Sequence, residues 1–227
     1  MNKFIASLEF GAGESLRDRL QKIGAMALEQ DGWTISRVPR GQKGSGKGSV
    51  RRITRGKEIK LVSIRTSKDR HIAFPRTEDG WATLGDVDYV CAVSVDKHDN
   101  PQEGWAHIID AKEMLARFNR AYKARIKAGN SISAGQPMWV SLYQEEGTDP
   151  VYRVGAGVGR PENCPPKLKA KLWNEGEAPE IEQEPESAAE EVQELIEETP
   201  LTISEAKRRL AMTFGVDESC IKISIEA

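Results

Sequence analysis

The sequence predicts an α/β fold, a central mixed β-sheet flanked by helices, and three observations carry that prediction. Leu16, Leu20, Ile23 and Ala27 recur at steps of four, three and four, which is the spacing of one helical face. A second helical pattern spans about residues 111–128, and between the two lie several short runs rich in β-branched and apolar residues, as strands require. One of these runs, "EIKLVSIRT", holds Ile59, Leu61, Val62 and Ile64 on both faces of its middle, as expected of a central strand covered on two sides.

Taken in order, "FIASLEF" (Phe4–Phe10) reads as a short strand, and "GAGE" opens a helix from about Glu14 to Gln30. "DGW" ends that helix, with Gly32 as a C-terminal cap. "WTISRV" is the next strand. "SVRRIT" and "EIKLVSIRT" flank the turn "RGK" and predict a β-hairpin. "RHIAFPR" is a further extended piece, followed by a short turn or helix, a buried strand from Tyr89 to Asp96, and another strand in "EGWAHIID". The second helix, Ala111 to Ala128, places Leu115, Phe118 and Tyr122 on its inner face, with Gly129 just beyond its end. "AGQPMWVSLYQ" (Ala134–Gln144) supplies a last strand of the same domain.

With 227 residues, 38% hydrophobic and 30% charged, the chain suffices for one good core plus an appendage. It has no apolar run of about 18 residues, and its opening "MNKFIASLEF" is too short and polar for a secretory signal, so the expected compartment is the cytoplasm. Cys91, Cys164 and Cys220 are odd in number, far apart and without C-x-x-C pairing, which argues against a disulfide framework or a zinc site. Cys91, inside "DYVCAVSV", reads as a buried small hydrophobe. His71, His98 and His107 show no metal-ligand spacing, and no structural metal or cofactor is expected.

The net charge of -2 conceals a segregation. Residues 34–70 carry twelve Lys or Arg against Glu58 and Asp69, a local charge near +10. Residues 174–199 carry eleven Glu and no Lys or Arg, a local charge near -11. The basic stretch contains "GQKGSGK", in which Gly41, Gly46 and Lys47 satisfy most of a phosphate-loop pattern, but Gly48 stands where its Ser or Thr should be. A strand follows rather than a helix, so no helix dipole aims at a nucleotide. The same chemistry suits a nucleic-acid backbone, whose phosphates are neutralised by Lys and Arg with release of counterions. The second helix adds Arg117, Arg120, Lys123, Arg125 and Lys127 against Glu113, a basic outer face that extends the surface or is solvated.

The expected organisation is an α/β domain over residues 1–159, an acidic flexible linker over 160–199 and a helix-strand element over 200–227. Thr202-x-x-Glu205 forms a capping box, Ile203, Ala206, Leu210 and Phe214 a stripe, Gly215 a stop, and "IKISIEA" a strand. Such an element is too small to fold well alone, which implies docking, dimerisation or strand addition to a partner. The acidic run could also occupy the basic surface in cis.

The phrases "EQDGWTISRV", "KLVSIRTSKDRHIAF", "WATLGDVDYVCAVSVD" and "WAHIIDAKEM", behind an opening helix and a hairpin, resemble the PD-(D/E)XK nuclease superfamily over Glu14 to Met114. The resemblance is to its restriction-endonuclease-like and resolvase-like members. It implies a restriction-endonuclease-like sheet, DNA as the partner and a setting in mobile elements or genome defence. The family carries a metal-binding Asp on the first hairpin strand and Glu or Gln, any residue, then Lys on the second. Here "VSIRTS" places Ser63 and Arg65 at the latter positions, and Ser49 to Arg52 stand where the Asp should be. Ser offers a hard divalent ion no carboxylate, and an always-charged Arg is a poor proton acceptor, so this alignment implies an inactive site.

The expectation is therefore a DNA-binding protein contacting phosphates through Arg51, Arg52, Arg55, Lys57, Arg65 and Lys68, with Lys43 and Lys47 reaching from the loop. The alternatives are a magnesium-dependent nuclease using Asp31, Glu58 and Lys60, and an interaction scaffold working through residues 200–227. Asp86 and Asp88 are expected to cap the turn into "DYVCAV".

Overall fold

The structure, a computed structural model, describes residues 8–11, 13–143, 165–174, 207 and 221–222. The chain divides into two compact units, residues 1–192 and 193–227, and the fold below is that of the first. Its elements in chain order are α1 (Leu16–Gln30), β1 (Thr34–Ser36), β2 (Val50–Arg55), β3 (Glu58–Ser67), β4 (His71–Pro75), β5 (Tyr89–Val95), β6 (Glu103–Asp110), α2 (Ala111–Lys127), β7 (Pro137–Ser141) and β8 (Leu168–Lys171). Six strands form one mixed sheet in the order β1-β2-β3-β5-β6-β8, in which β3 and β5 run parallel and every other neighbouring pair antiparallel. β4 and β7 pair antiparallel in a separate two-stranded sheet.

The helices begin and end where their sequences say they should. Ser15 Oγ accepts the Asp18 amide at the start of α1, and Gly32, at φ +89°, turns the chain just past the Asp31 cap. Asp110 accepts the Lys112 amide at 2.8 Å to open α2. α1 lies on one face of the sheet, where Leu20, Ile23, Ala27 and Leu28 pack with Ile53, Val62, Cys91, Val93 and Ala106. The other face packs Val90, Ala92 and Ile109 against α2 and the small sheet, through Phe74, Met114, Phe118 and Val140. α1 approaches so closely at Gly24 that a Cβ there would sit 2.8 Å from Val93 Cγ2 and 3.0 Å from Ile64 Cγ2, inside van der Waals contact.

Four expectations change. Ile59 is 56% exposed and Leu61 only partly covered, so the middle of β3 is not apolar on both faces; its second buried face carries Ser63, Arg65 and Ser67. "RHIAFPR" and "PMWVS" pair with each other rather than with the main sheet. The stretch assigned to the linker contains β8, which pairs with β6 in the register Trp105↔Lys169 and buries Leu168, Ala170 and Leu172. The domain therefore reaches at least Asn174, not residue 159. Composition hid this strand, because "LKAKL" alternates apolar and Lys, and the lysines lowered the local hydrophobicity while the period of two was intact. Leu8 to Phe10 carry no strand, and the rest of the expected first strand lies outside the described residues. So does almost all of the expected element at 200–227, together with Cys164 and Cys220.

No helix among the described residues is long and apolar enough to cross a membrane. Cys91 is fully buried, as expected, and burial pushes its thiol up to about 12.

Candidate nucleic-acid interface

The basic stretch forms one margin of the sheet: the three-residue edge strand β1, the loop 37–49, and the β2–β3 hairpin turning at Gly56-Lys57. Residues opposite each other across the hairpin share a face, so its register sorts the cations. Arg51, Ile53 and Arg55 lie opposite Val62, Lys60 and Glu58 on the α1 side; Arg52 and Thr54 lie opposite Leu61 and Ile59 on the other.

Most of the cations on this margin already have partners. The Arg55 guanidinium lies 4.2 Å above the Trp33 ring, donates to the Asp31 carbonyl at 3.2 Å and pairs with Glu58 Oε2 at 3.4 Å. Lys60 pairs with Asp88 at 3.3 Å, and that hydrogen bond raises the Lys60 pKa. Arg51 donates to the carbonyls of Gly48 and Val50, tying off the loop where the strand begins. Lys43 and Lys47 converge on one carboxylate, Lys43 Nζ reaching Asp86 Oδ1 and Lys47 Nζ reaching Oδ2, each at 3.1 Å. Burial acts to raise the Asp86 pKa, but the hydrogen bonds from the two lysines outweigh it and hold the carboxyl below its ordinary value.

The loop is shaped to make that contact. Gly44 has φ +84°, and its Cα lies over β2 and β3 so closely that a Cβ would stand 3.0 Å from Val50 Cγ1. Asp86 and Asp88 thus work across the fold rather than as caps of their own turn, as the sequence had suggested. Asp88 Oδ2 accepts the Leu61 amide at 2.8 Å and its own amide donates to the Leu61 carbonyl, joining the start of β5 to β3.

Two of the expected phosphate contacts lie elsewhere. Arg65 is 2% exposed, with Nε donating to Ser63 Oγ at 3.1 Å and its guanidinium 4.5 Å from the Phe74 ring centroid. It is a core residue, because position 65 falls on the sheet face that the β4–β7 side covers. Lys68 follows the far end of β3, beyond the last residue paired with β2, where its carbonyl meets His98 Nδ1 at 3.2 Å. The basic face of α2 is also separate, since α2 packs on β5 and β6. Within it Arg117 pairs with Glu113, and Arg125 donates to the Trp139 carbonyl.

Arg37, Arg40 and Lys57 are exposed and make no ion pair with any described residue. Arg37 and Arg40 were visible only as members of a charge count; their availability depends on where the acids fall in space. Along this margin β2 has six residues, a length of about 20 Å at ~3.4 Å per residue. One DNA strand carries about six phosphates over that length, at ~3.4 Å each.

The nuclease alternative meets an arginine. Arg55 lies between Asp31 and Glu58, with Asp31 Oδ2 at 3.9 Å and Glu58 Oε2 at 3.4 Å, while Lys167 takes the other Asp31 oxygen at 3.2 Å. Lys60 is turned to Asp88 instead. This donor set, carboxylates already bound to cations, does not fit a hard divalent ion, and Ser63 with Arg65 fits it no better. Among the described residues no group of three or more His, Cys, Asp or Glu side chains could hold a metal ion. No family model, curated protein or solved structure matches this chain.

Proposed function

We propose that this protein binds the phosphate backbone of DNA along the β1–β2 margin of its sheet, with Arg37, Arg40 and Lys57 as leading contacts and Arg51, Arg52 and Arg55 behind them. The observation that carries the reading is the disposition of charge: three exposed cations without ion-pair partners among the described residues, spread along one sheet margin from the loop to the hairpin turn. Phosphate contacts of this kind position a protein without reading sequence. The likeness to PD-(D/E)XK nucleases is part of the proposal, as a nuclease-like domain in which Ser63 and Arg65 replace the metal-binding and basic positions and hydrolysis is lost. The inward burial of both residues supports that reading.

The test is binding of labelled duplex and single-stranded DNA across a salt series, for the natural chain and for a variant carrying Arg37→Glu, Arg40→Glu and Lys57→Glu, with a magnesium or manganese lane. The natural chain loses affinity steeply with salt, and the variant shows a shallower slope, by about 3 if each cation meets one phosphate of a duplex. Equal slopes, or no binding at low salt, overturn the proposal. Metal-dependent product bands that disappear in Lys60→Ala would establish the nuclease alternative in its place.

A further inference from the structure

The Lys43–Asp86–Lys47 cluster sets two cations on one carboxylate. Two ammonium groups from one glycine-rich loop reach the two oxygens of a single carboxylate, each at 3.1 Å, and Lys43 Nζ also meets the Gly85 carbonyl at 3.2 Å. A phosphodiester presents the same pattern, two anionic oxygens on one centre carrying one negative charge. The turn that offers Asp86 is strained: Thr83, β-branched and buried, sits at φ +65°, and its carbonyl accepts the Asp86 amide at 2.8 Å. Such strain persists where the surroundings enforce it, and it gathers at binding and switch sites. The Lys43 side chain is 62% exposed and that of Asp86 35%, so solvent and ligand both reach the pair.

We propose that the Asp86 carboxylate fills a phosphate seat formed by Lys43 and Lys47, and that a backbone phosphate of the bound nucleic acid displaces it. This rests on the DNA-binding reading above and adds the control of the same site. In the free protein the loop is held against the start of β5 and its two lysines share one carboxylate, which offsets one of their two charges. On binding, one monoanion is exchanged for another, the lysines join the contact, and Asp86 is released to water. Indiscriminate attraction to weaker or isolated anions is thereby reduced, because each must first compete with an attached carboxylate.

The experiment compares the full chain with Asp86→Asn, which keeps the shape of the turn and removes the competing charge, and with Asp79→Asn as a control of equal charge change on an exposed acid that pairs with neither lysine. Duplex DNA is titrated across a salt series. Asp86→Asn binds tighter than Asp79→Asn at every salt concentration, and the difference vanishes when Lys43→Ala and Lys47→Ala are added. On the natural chain, the Asp86 carboxyl carbon shifts in NMR spectra as duplex is added, a readout independent of any substitution.

If both aspartate variants gain equally, or if the gain survives loss of the lysines, the carboxylate is not in a phosphate seat and the inference falls. In either case binding itself remains, sensitive to Arg37, Arg40 and Lys57. If neither the natural chain nor Asp86→Asn binds DNA at low salt, the underlying reading falls with it.

Discussion

Arg19, in the first turn of α1 and 2% exposed, donates from Nη1 to the carbonyl of Leu172 at 2.7 Å and from Nε to the carbonyl of Glu14 at 2.9 Å. Its guanidinium lies between Phe10 at 5.0 Å and Trp173 at 4.8 Å. One side chain therefore joins the start of the helix to the end of β8, more than 150 residues away in sequence. Arg19→Ala leaves a buried carbonyl without that donor and a void between two aromatic rings. The expected loss is about 2–4 kcal/mol, read as a lower denaturation midpoint. Arg19→Lys recovers little of it, because an ammonium lacks the planar fork that serves both carbonyls and both rings.

Gly24 gives a test of sign. On helix propensity alone Gly24→Ala stabilises α1 by about 1 kcal/mol. The contact with Val93 Cγ2 and Ile64 Cγ2 opposes this, since both are stiff β-branched side chains and overpacking costs about 1–3 kcal/mol. The substitution is expected to lower the melting temperature; a rise would mean that α1 can move off the sheet at no cost.

Arg65 separates core from interface. Arg65→Ala should cost about 2–5 kcal/mol of stability through the cavity it opens beneath Phe74. In whatever fraction remains folded, DNA affinity at fixed salt should equal that of the natural chain. A selective loss of affinity in stable protein would return Arg65 to the binding surface.

Asp69 links stability to pH. Burial acts to raise its pKa, but hydrogen bonds from His71 and Ser67 outweigh it and hold the carboxyl well below its ordinary value of 3.8. A depressed carboxylate contributes stability that is present above its unfolded value and lost as pH falls through the folded one. Denaturation midpoints should therefore fall below about pH 4 more steeply in the natural chain than in Asp69→Asn, with the two curves parallel at neutral pH. Parallel curves throughout would show the turn to be indifferent to that charge.

Cys91 should resist thiol reagents in the folded protein. It is fully buried, its thiol is pushed up to about 12, and its Sγ lies 3.6 Å from the Gly24 carbonyl. Mass spectrometry after brief alkylation should find Cys91 unmodified until denaturant is added; prompt modification would mean that α1 opens from the sheet.

The fold was legible wherever a pattern was local. α1, α2, the β2–β3 hairpin, β5 and β6 follow from periodicity, caps and turn residues that lie within one element. β4 and β7 were recognised as extended, but their pairing with each other was not, because strand partnership is set by contacts between segments more than 60 residues apart. β8 was missed for another reason: its lysines weighed in the composition, while its alternation was the informative feature.

Sequence alone determined the helices, the hairpin and the segregation of charge into a basic stretch and an acidic one. Only the tertiary structure decided which cations are open to a ligand. Position 65 faces inward because the pleat puts it on the covered side of β3. Lys43 and Lys47 are paired with Asp86 and Lys60 with Asp88, and Arg55 is shared between Asp31 and Glu58. The physical reason is the short range of these contacts: hydrogen-bonded ion pairs act over a few ångströms, and which acid comes that close to which base is settled by strand register and loop path, not by distance along the chain.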